Sequence, residues 1–281
     1  MKATSDLVDE VLLIARRASD VIREVYAAPF DVDFKGKDDP VTRADRDANT
    51  LICSALALLT PGVPIVAEES DPSAYAGYAA APEAWFVDPL DGTREFVARN
   101  GEFAVMIGLA EGGHASLGVI VCPAIDRAFV GAPGIGAFEV AGDGSRRAIH
   151  VSPAKALIEA ELLVSRSRGA EALDEREAAR LGLRKITRCG SAGVKATRIA
   201  AGEADVYAQP GRAGALWDAC APEGLVKAAG GEVTDAGGIA IDYAARELPN
   251  HHGFVATNGL LHAEVLDLLR KHGLAPPRRQ P

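Results

Sequence analysis

The chain has 281 residues, 48% of them hydrophobic and 25% charged, with a formal net charge of −9. That length is enough to bury a large core, as one domain or as two lobes, and the composition excludes a disordered chain. The acidic balance argues against a nucleic acid polymer or an anionic membrane surface as the main partner, and it means that an anionic substrate needs local help from cations. Cys53, Cys122, Cys189 and Cys220 are widely spaced with no C-x-x-C pair, as expected of reduced thiols in a cytoplasmic protein. The N-terminus is acidic where a secretion signal would be basic. No apolar run approaches 18 residues, so no transmembrane segment is expected.

In chain order, Leu7, Val11, Ile14, Ala18, Val21 and Val25 recur at helical steps, so residues 5–27 read as an amphipathic helix capped by Thr4 or Ser5. Residues 31–41 read as a polar loop containing Lys35, Gly36 and Lys37. A second helix follows Asp39-Pro40-Val41-Thr42, with Ala48, Leu51, Ile52, Ala55, Leu56 and Leu59 on one face and Asp45 in its first turn. Strands are expected at 65–67 and 85–87, with a variable loop at 71–82 between them. Residues 104–109, 117–121, 128–130 and 137–140 read as an antiparallel meander separated by Gly-Gly, Pro and Pro-Gly turns.

Residues 141–148 are the expected boundary between an N-terminal α+β half, 1–145, and a C-terminal α/β half, 146–281. Beyond them strands (162–164, 185–187, 206–208, 254–257) alternate with helices (171–181, 191–201, the segment after Asp218, 260–271), which implies an α/β layer. No internal repeat is visible, and the Pro- and Arg-rich tail should fray.

The densest chemistry lies in Trp85-Phe86-Val87-Asp88-Pro89-Leu90-Asp91-Gly92-Thr93. Pro89 fixes its own φ and disfavours helix at Asp88, so a sharp turn should follow the strand. Such a turn lets Asp88, the Leu90 carbonyl and Asp91 converge, and hard divalent cations, Mg²⁺ above all, take oxygen ligands of this kind. Gly92 allows a phosphate close to the backbone, and Thr93 can open a helix whose free N–H groups attract an anion. Strand 65–67 runs into Glu68-Glu69-Ser70. Leu216-Trp217-Asp218 precedes a helix, which puts Asp218 at a helix N-terminus. Taken singly, Asp45 and Asp218 read as caps; taken with Glu68 and the double-aspartate turn, they read as a site.

As a set, Asp88-Pro-Leu-Asp-Gly-Thr93, Glu68-Glu69-Ser70 and Trp217-Asp218 resemble the signatures of the inositol monophosphatase superfamily, Mg²⁺-dependent and Li⁺-sensitive phosphatases. Thr93-Arg-Glu-Phe-Val97 followed by Asn100-Gly-Glu-Phe103 is most similar to the 3′(2′),5′-bisphosphate nucleotidase branch, whose substrate is adenosine 3′,5′-bisphosphate. Inositol phosphatases usually carry Asn where this chain has Glu95. The resemblance implies a layered αβαβα sandwich with the site between its halves. It implies two or three Mg²⁺ ions on Glu68, Asp88, the Leu90 carbonyl, Asp91 and Asp218, and an Asp45–Thr93 pair that orients and deprotonates the attacking water, with Glu68 a third catalytic residue that helps through the first metal. It also implies that the Gly92 and Thr93 amides hold the phosphate, and it allows a homodimer.

Arg166 closes a strand and reads equally as a solvated basic turn or as a holder of a second phosphate. Lys195 resembles the nucleotide-contacting lysine of that branch. The serine normally three residues before it is Ala192 here, with Ser191 one place earlier. Pro222 replaces a usual Gly, which fits a helix starting near Ala219. Inositol-1-phosphate phosphatase and fructose-1,6-bisphosphatase remain the alternative activities, and an acidic cation-binding regulatory module the non-enzymatic one. Gly134-Ile-Gly136 lacks the rest of a dinucleotide fingerprint. Ser152-Pro-Ala-Lys155 lacks the partner motifs of a serine–lysine nucleophile. His251-His252 has no metal-binding companion.

Overall fold

A computed structural model describes residues 4–36, 39–166, 182–183 and 185–275. Helix α1 (Ser5–Tyr26) starts where Thr4 Oγ1 accepts the Leu7 amide (3.2 Å), and it buries the apolar stripe from Leu7 to Val25. The stretch expected as a polar loop is instead an antiparallel hairpin of β1 (Val32–Gly36) and β2 (Asp39–Thr42), with Val32 opposite Thr42 and Phe34 opposite Pro40. Val32 and Phe34 alternate with Asp33 and Lys35, but every residue of β1 after Val32 is exposed, so backbone pairing and not a buried face holds the strand. Helix α2 (Arg43–Leu59) packs beside α1 to form the first layer.

The second layer is a seven-stranded sheet. Its strands are β3 (Ile65–Ala67), β4 (Glu83–Asp91), β5 (Ala104–Glu111), β6 (His114–Cys122), β7 (Arg127–Ala132), β8 (Gly136–Val140) and β9 (Arg146–Ala148), in that spatial order. Only β3–β4 is parallel; the rest is the expected meander. Residues 141–148 are not a linker. They turn back and pair with β8, Phe138 opposite Ala148, so this sheet runs past the expected boundary. The short helix α3 (Thr93–Val97) leaves the end of β4.

The second sheet orders its strands as β11 (Lys185–Cys189), β10 (Glu161–Ser165), β12 (Val206–Gln209), β14 (Phe254–Thr257) and β13 (Glu232–Thr234). The first three are mutually parallel, and β14 is antiparallel to both β12 and β13. Helices α4 (Ala192–Ala200) and α5 (Trp217–Ala228) lie between the two sheets, and α6 (His262–Lys271) covers the outer face of the second. The helix expected at 171–181 lies outside the described residues. The layers therefore run αβαβα, as the resemblance implies, and a single core joins both sheets through α4 and α5. No helix among the described residues is long and apolar enough to cross a membrane.

What sets the distance between α5 and the first sheet is a row of glycines. Gly108, Gly118 and Gly131 stand opposite one another on β5, β6 and β7. A Cβ at Gly108 would come within 2.6 Å of the Ala221 amide, one at Gly118 would run into the Ala221 carbonyl, and one at Gly131 would meet Leu225 Cα at 3.0 Å. Gly224 answers from the helix, facing Leu117 and the Gly118 amide. Helix and sheet thus touch backbone to backbone.

The helix begins at Trp217, not near Ala219, so Pro222 sits more than a turn inside it, where its ring removes the amide that would bond the Asp218 carbonyl. Between the sheets, Glu223 is buried and paired with Lys227 (2.6 Å) and Tyr243 (2.7 Å).

Gly118→Ala should therefore destabilise the protein by about 3 kcal/mol or more, the upper end of overpacking costs, because the obstacle is backbone that cannot rotate away. Gly36→Ala, with nothing within 4 Å, serves as the control. Urea melts of the two variants check this, and equal midpoints would contradict it.

Candidate active site

Strand β4 does not stop at Val87. It runs on to Asp91 with a bulge: three steps from Asp88 to Asp91 face two steps from Met106 to Ala104. Pro89 has no amide to pair, and a bulge is where a strand tolerates it. The Leu90 amide folds back onto Asp88 Oδ1 (3.0 Å), closing a tight turn within the strand between Asp88 and Asp91. Gly92 takes φ +94°, and a Cβ there would lie 2.8 Å from the Glu102 carbonyl, so only glycine lets Thr93 open α3 at this spot.

Asp45 is held from two sides. Its Oδ2 accepts the Thr42 amide and the Thr42 hydroxyl, each at 2.7 Å, in a capping box at the start of α2. Its Oδ1 accepts the Thr93 hydroxyl at 2.9 Å, and Thr93 Oγ1 also lies 3.2 Å from the Leu90 carbonyl. Burial raises the pKa of Asp45 despite these hydrogen bonds. The aspartate that caps α2 is thus also the partner of Thr93.

Asp88, Asp91 and Asp218 bring one carboxylate oxygen each within 4.8 Å of one another. Asp218 reaches them from the first turn of α5, where its Oδ2 also accepts the Ala215 amide (2.6 Å). Glu68 stands beside this trio at the end of β3. Its Oε1 is bridged to Glu69 by the Lys35 ammonium, 2.7 Å from each, which reaches over from the β1–β2 hairpin. Such crowding of like charge disfavours ionisation. Glu68 is pushed up to about 7 by burial and then by Asp218, with Lys35 pulling the other way. Asp88 is raised well above the usual carboxylate range by burial, Glu68, Asp91 and Asp218. An all-oxygen donor set that repels itself unless a cation is added suits a hard divalent cation.

Asp91 is also gripped by the C-terminal half. Its Oδ2 accepts the Ser191 hydroxyl and the Gly193 amide (2.7 Å) at the start of α4. Glu102 takes the Gly190 amide at 2.7 Å and forks onto Arg166 at 2.7 and 2.8 Å. Arg166 therefore serves this clasp and is not among the residues that line the cleft. Lys195 does line it, but its buried ammonium donates to the Ser191 and Cys189 carbonyls (2.7 and 3.3 Å) and lies 4.7 Å above the Tyr207 ring. Glu95 is buried against Gly190, where any Cβ would run into it.

All these elements surround a cleft of about 780 Å³ bordered by Glu68, Asp88, Asp91, Thr93, Lys195 and Asp218. Two contributors were missed in the sequence. Arg212 lines the cleft on the segment before α5, and its isolation between Gly211 and Ala213 gave no signal. In the sequence Ser191 stands out only by its spacing from Lys195.

Alternating layers with an acidic cleft of this kind define an inositol-monophosphatase-type phosphatase fold. The profile of the Inositol monophosphatase family matches residues 6–274, and the chain belongs to that family. The 3′(2′),5′-bisphosphate nucleotidase CysQ of Salmonella typhimurium is 37% identical over 253 residues, covering 89% of this chain and 99% of that protein. A histidinol-phosphatase of Mycobacterium tuberculosis is 34% identical, covering 92% and 95% respectively. Among solved structures, the extragenic suppressor protein suhB from Bartonella henselae superposes with a TM-score of 0.81 at 26% identity, covering 95% of this chain and 99% of that one.

Because the pKa of Glu68 is higher in the folded protein than its usual 4.5, the folded chain binds more protons than the unfolded one between about pH 4.5 and 7. This stabilisation is fully present below pH 4.5 and is lost as pH rises through 7; Asp88 acts in the same direction. In excess chelator the site's contribution should thus fall from pH 5 to pH 8, and Mg²⁺ should restore it at pH 8. Melting curves of wild type and Glu68→Gln at both pH values isolate that contribution, and an unchanged pH response in the variant would contradict it.

Proposed function

We propose that this protein is a Mg²⁺-dependent phosphatase that removes the 3′-phosphate of adenosine 3′,5′-bisphosphate, giving AMP and phosphate. The observation that carries the reading is the convergence of Asp88, Asp91 and Asp218 beside a hydrogen-bonded Thr93–Asp45 pair. The 37% identity to a bisphosphate nucleotidase along most of the chain supports the choice of substrate.

Glu68, Asp88, the Leu90 carbonyl, Asp91 and Asp218 would hold two or three Mg²⁺ ions. Bound there, the ions supply Lewis acidity and lower the pKa of water. The chain's own residues do the rest. Thr93 Oγ1 accepts a proton from the attacking water while passing its own to Asp45 Oδ1. A buried carboxylate of raised pKa is a suitable end point for that proton. The Gly92 and Thr93 amides, at the opening of α3, face the phosphate oxygens. Lys195 shapes the cleft wall, fixing the 189–191 turn and covering Tyr207. Arg212, which lines the cleft where Arg166 does not, is the cationic group we assign to the distal 5′-phosphate.

Thr93→Ala should lower kcat about 10²-fold or more while leaving Mg²⁺ binding nearly intact. Steady-state kinetics alongside calorimetric Mg²⁺ titration check this, and a wild-type kcat would refute the proton route.

Arg212→Ala should cost about 10- to 100-fold in kcat/KM on adenosine 3′,5′-bisphosphate, the value of one charge-assisted contact. The loss should be nearly absent on a monophosphate without the distal group. Parallel kcat/KM values for wild type on adenosine 3′,5′-bisphosphate, inositol 1-phosphate, fructose 1,6-bisphosphate and histidinol phosphate test the substrate itself. A preference for any of the last three overturns the nucleotidase reading.

A further inference from the structure

Ser191 is one of three non-glycine residues with positive φ among the described residues, at φ +55° and ψ 131°. That ψ lies far from the left-handed helical well, so this is a strained position even by the standard of positive-φ residues. Such strain persists only where the surroundings over-determine it. Here they do: Glu102 holds the Gly190 amide, Lys195 holds the Cys189 and Ser191 carbonyls, and Asp91 holds the Gly193 amide.

Ser191 Oγ has two partners. It accepts the Val194 amide at 3.0 Å as the N-cap of α4, and it donates to Asp91 Oδ2. Capping does not require the strain. Thr4 and Thr42 cap α1 and α2 in this same chain from ordinary extended backbone, at φ −110° and −122°. What the unusual backbone accompanies is the second contact, across the cleft to the aspartate on β4.

We propose that Ser191 is a positioning residue for the metal centre. Its hydroxyl and the Gly193 amide occupy Asp91 Oδ2 and fix the carboxylate plane, leaving Oδ1 for the cation. The start of α4, which connects β11 to β12 of the second sheet, thereby sets the aim of a ligand carried by the first. This inference rests on the metal reading above.

The test separates metal affinity from folding. Ser191→Gly removes the hydroxyl, relieves the positive φ and still serves as an N-cap. In chelator its melting temperature should equal or exceed that of wild type, while its affinity for Mg²⁺ by calorimetry should fall about 10-fold or more, as when a partner of a metal ligand is removed. Ser191→Thr keeps a hydroxyl on a backbone that suits a β-branched residue poorly. It should lose melting temperature and keep Mg²⁺ affinity.

Wild-type Mg²⁺ affinity in Ser191→Gly would overturn the proposal. So would affinities that simply follow melting temperature across the variants, or failure of Ser191→Gly to fold, each of which places the hydroxyl in the fold alone. If wild type itself takes up no Mg²⁺, the metal reading fails, and the inference with it.

Discussion

The backbone-to-backbone contact between α5 and the first sheet is the constraint on which the site depends. Asp88 and Asp91 are fixed to β4, and Asp218 is fixed to the first turn of α5. Their carboxylates meet only because nothing larger than hydrogen separates Ala221 from Gly108 and Gly118. A layer of Cβ atoms would lift the helix off the sheet and withdraw Asp218 from the other two. Close packing thus does the positioning that a ligand cluster built on flexible loops would leave to chance.

That positioning works against electrostatics. Asp88, buried beside Glu68, Asp91 and Asp218, is pushed toward protonation, and the protein offsets the repulsion locally. Lys35 neutralises the Glu68–Glu69 end. Amide and hydroxyl donors from α4 occupy one oxygen of Asp91, and those of the α2 capping box occupy one oxygen of Asp45. Each carboxylate is therefore oriented through one oxygen while the other is left for chemistry. The same logic recurs at Glu102, which joins Arg166 to the Gly190 amide and secures the turn from the opposite side.

Much of this was legible in the sequence, and for physical reasons. The apolar periodicity of α1 and α2, the meander from β5 to β8 and the acidic ends of β3 and β4 are local signals, and the layer order followed from the family resemblance. The misreadings lie where an element is defined by partners distant in sequence. Strand β1 has no buried face, and β9 is three exposed residues held by pairing with β8. Asp91 and Ser191 are 100 residues apart and touch only because two sheets share a core. Arg166 reads equally as a solvated basic turn or as a phosphate holder, and its pairing with Glu102 joins positions 64 residues apart. No pattern in the chain marks that pairing.

Placing α5 between two sheets has a consequence for how the molecule breathes. From Ala219 to Val226 every residue of this helix is buried, and strands flank it on both sides. No fraying of an end and no lifting of a surface loop exposes its middle amides. Their exchange with deuterated solvent has to await opening of the whole sandwich. The hairpin that carries Lys35 is exposed along most of β1, and it can exchange through small local excursions. One acidic cleft thus joins a slow clock and a fast one, with Asp218 tied to the first and the Lys35–Glu68 bridge to the second.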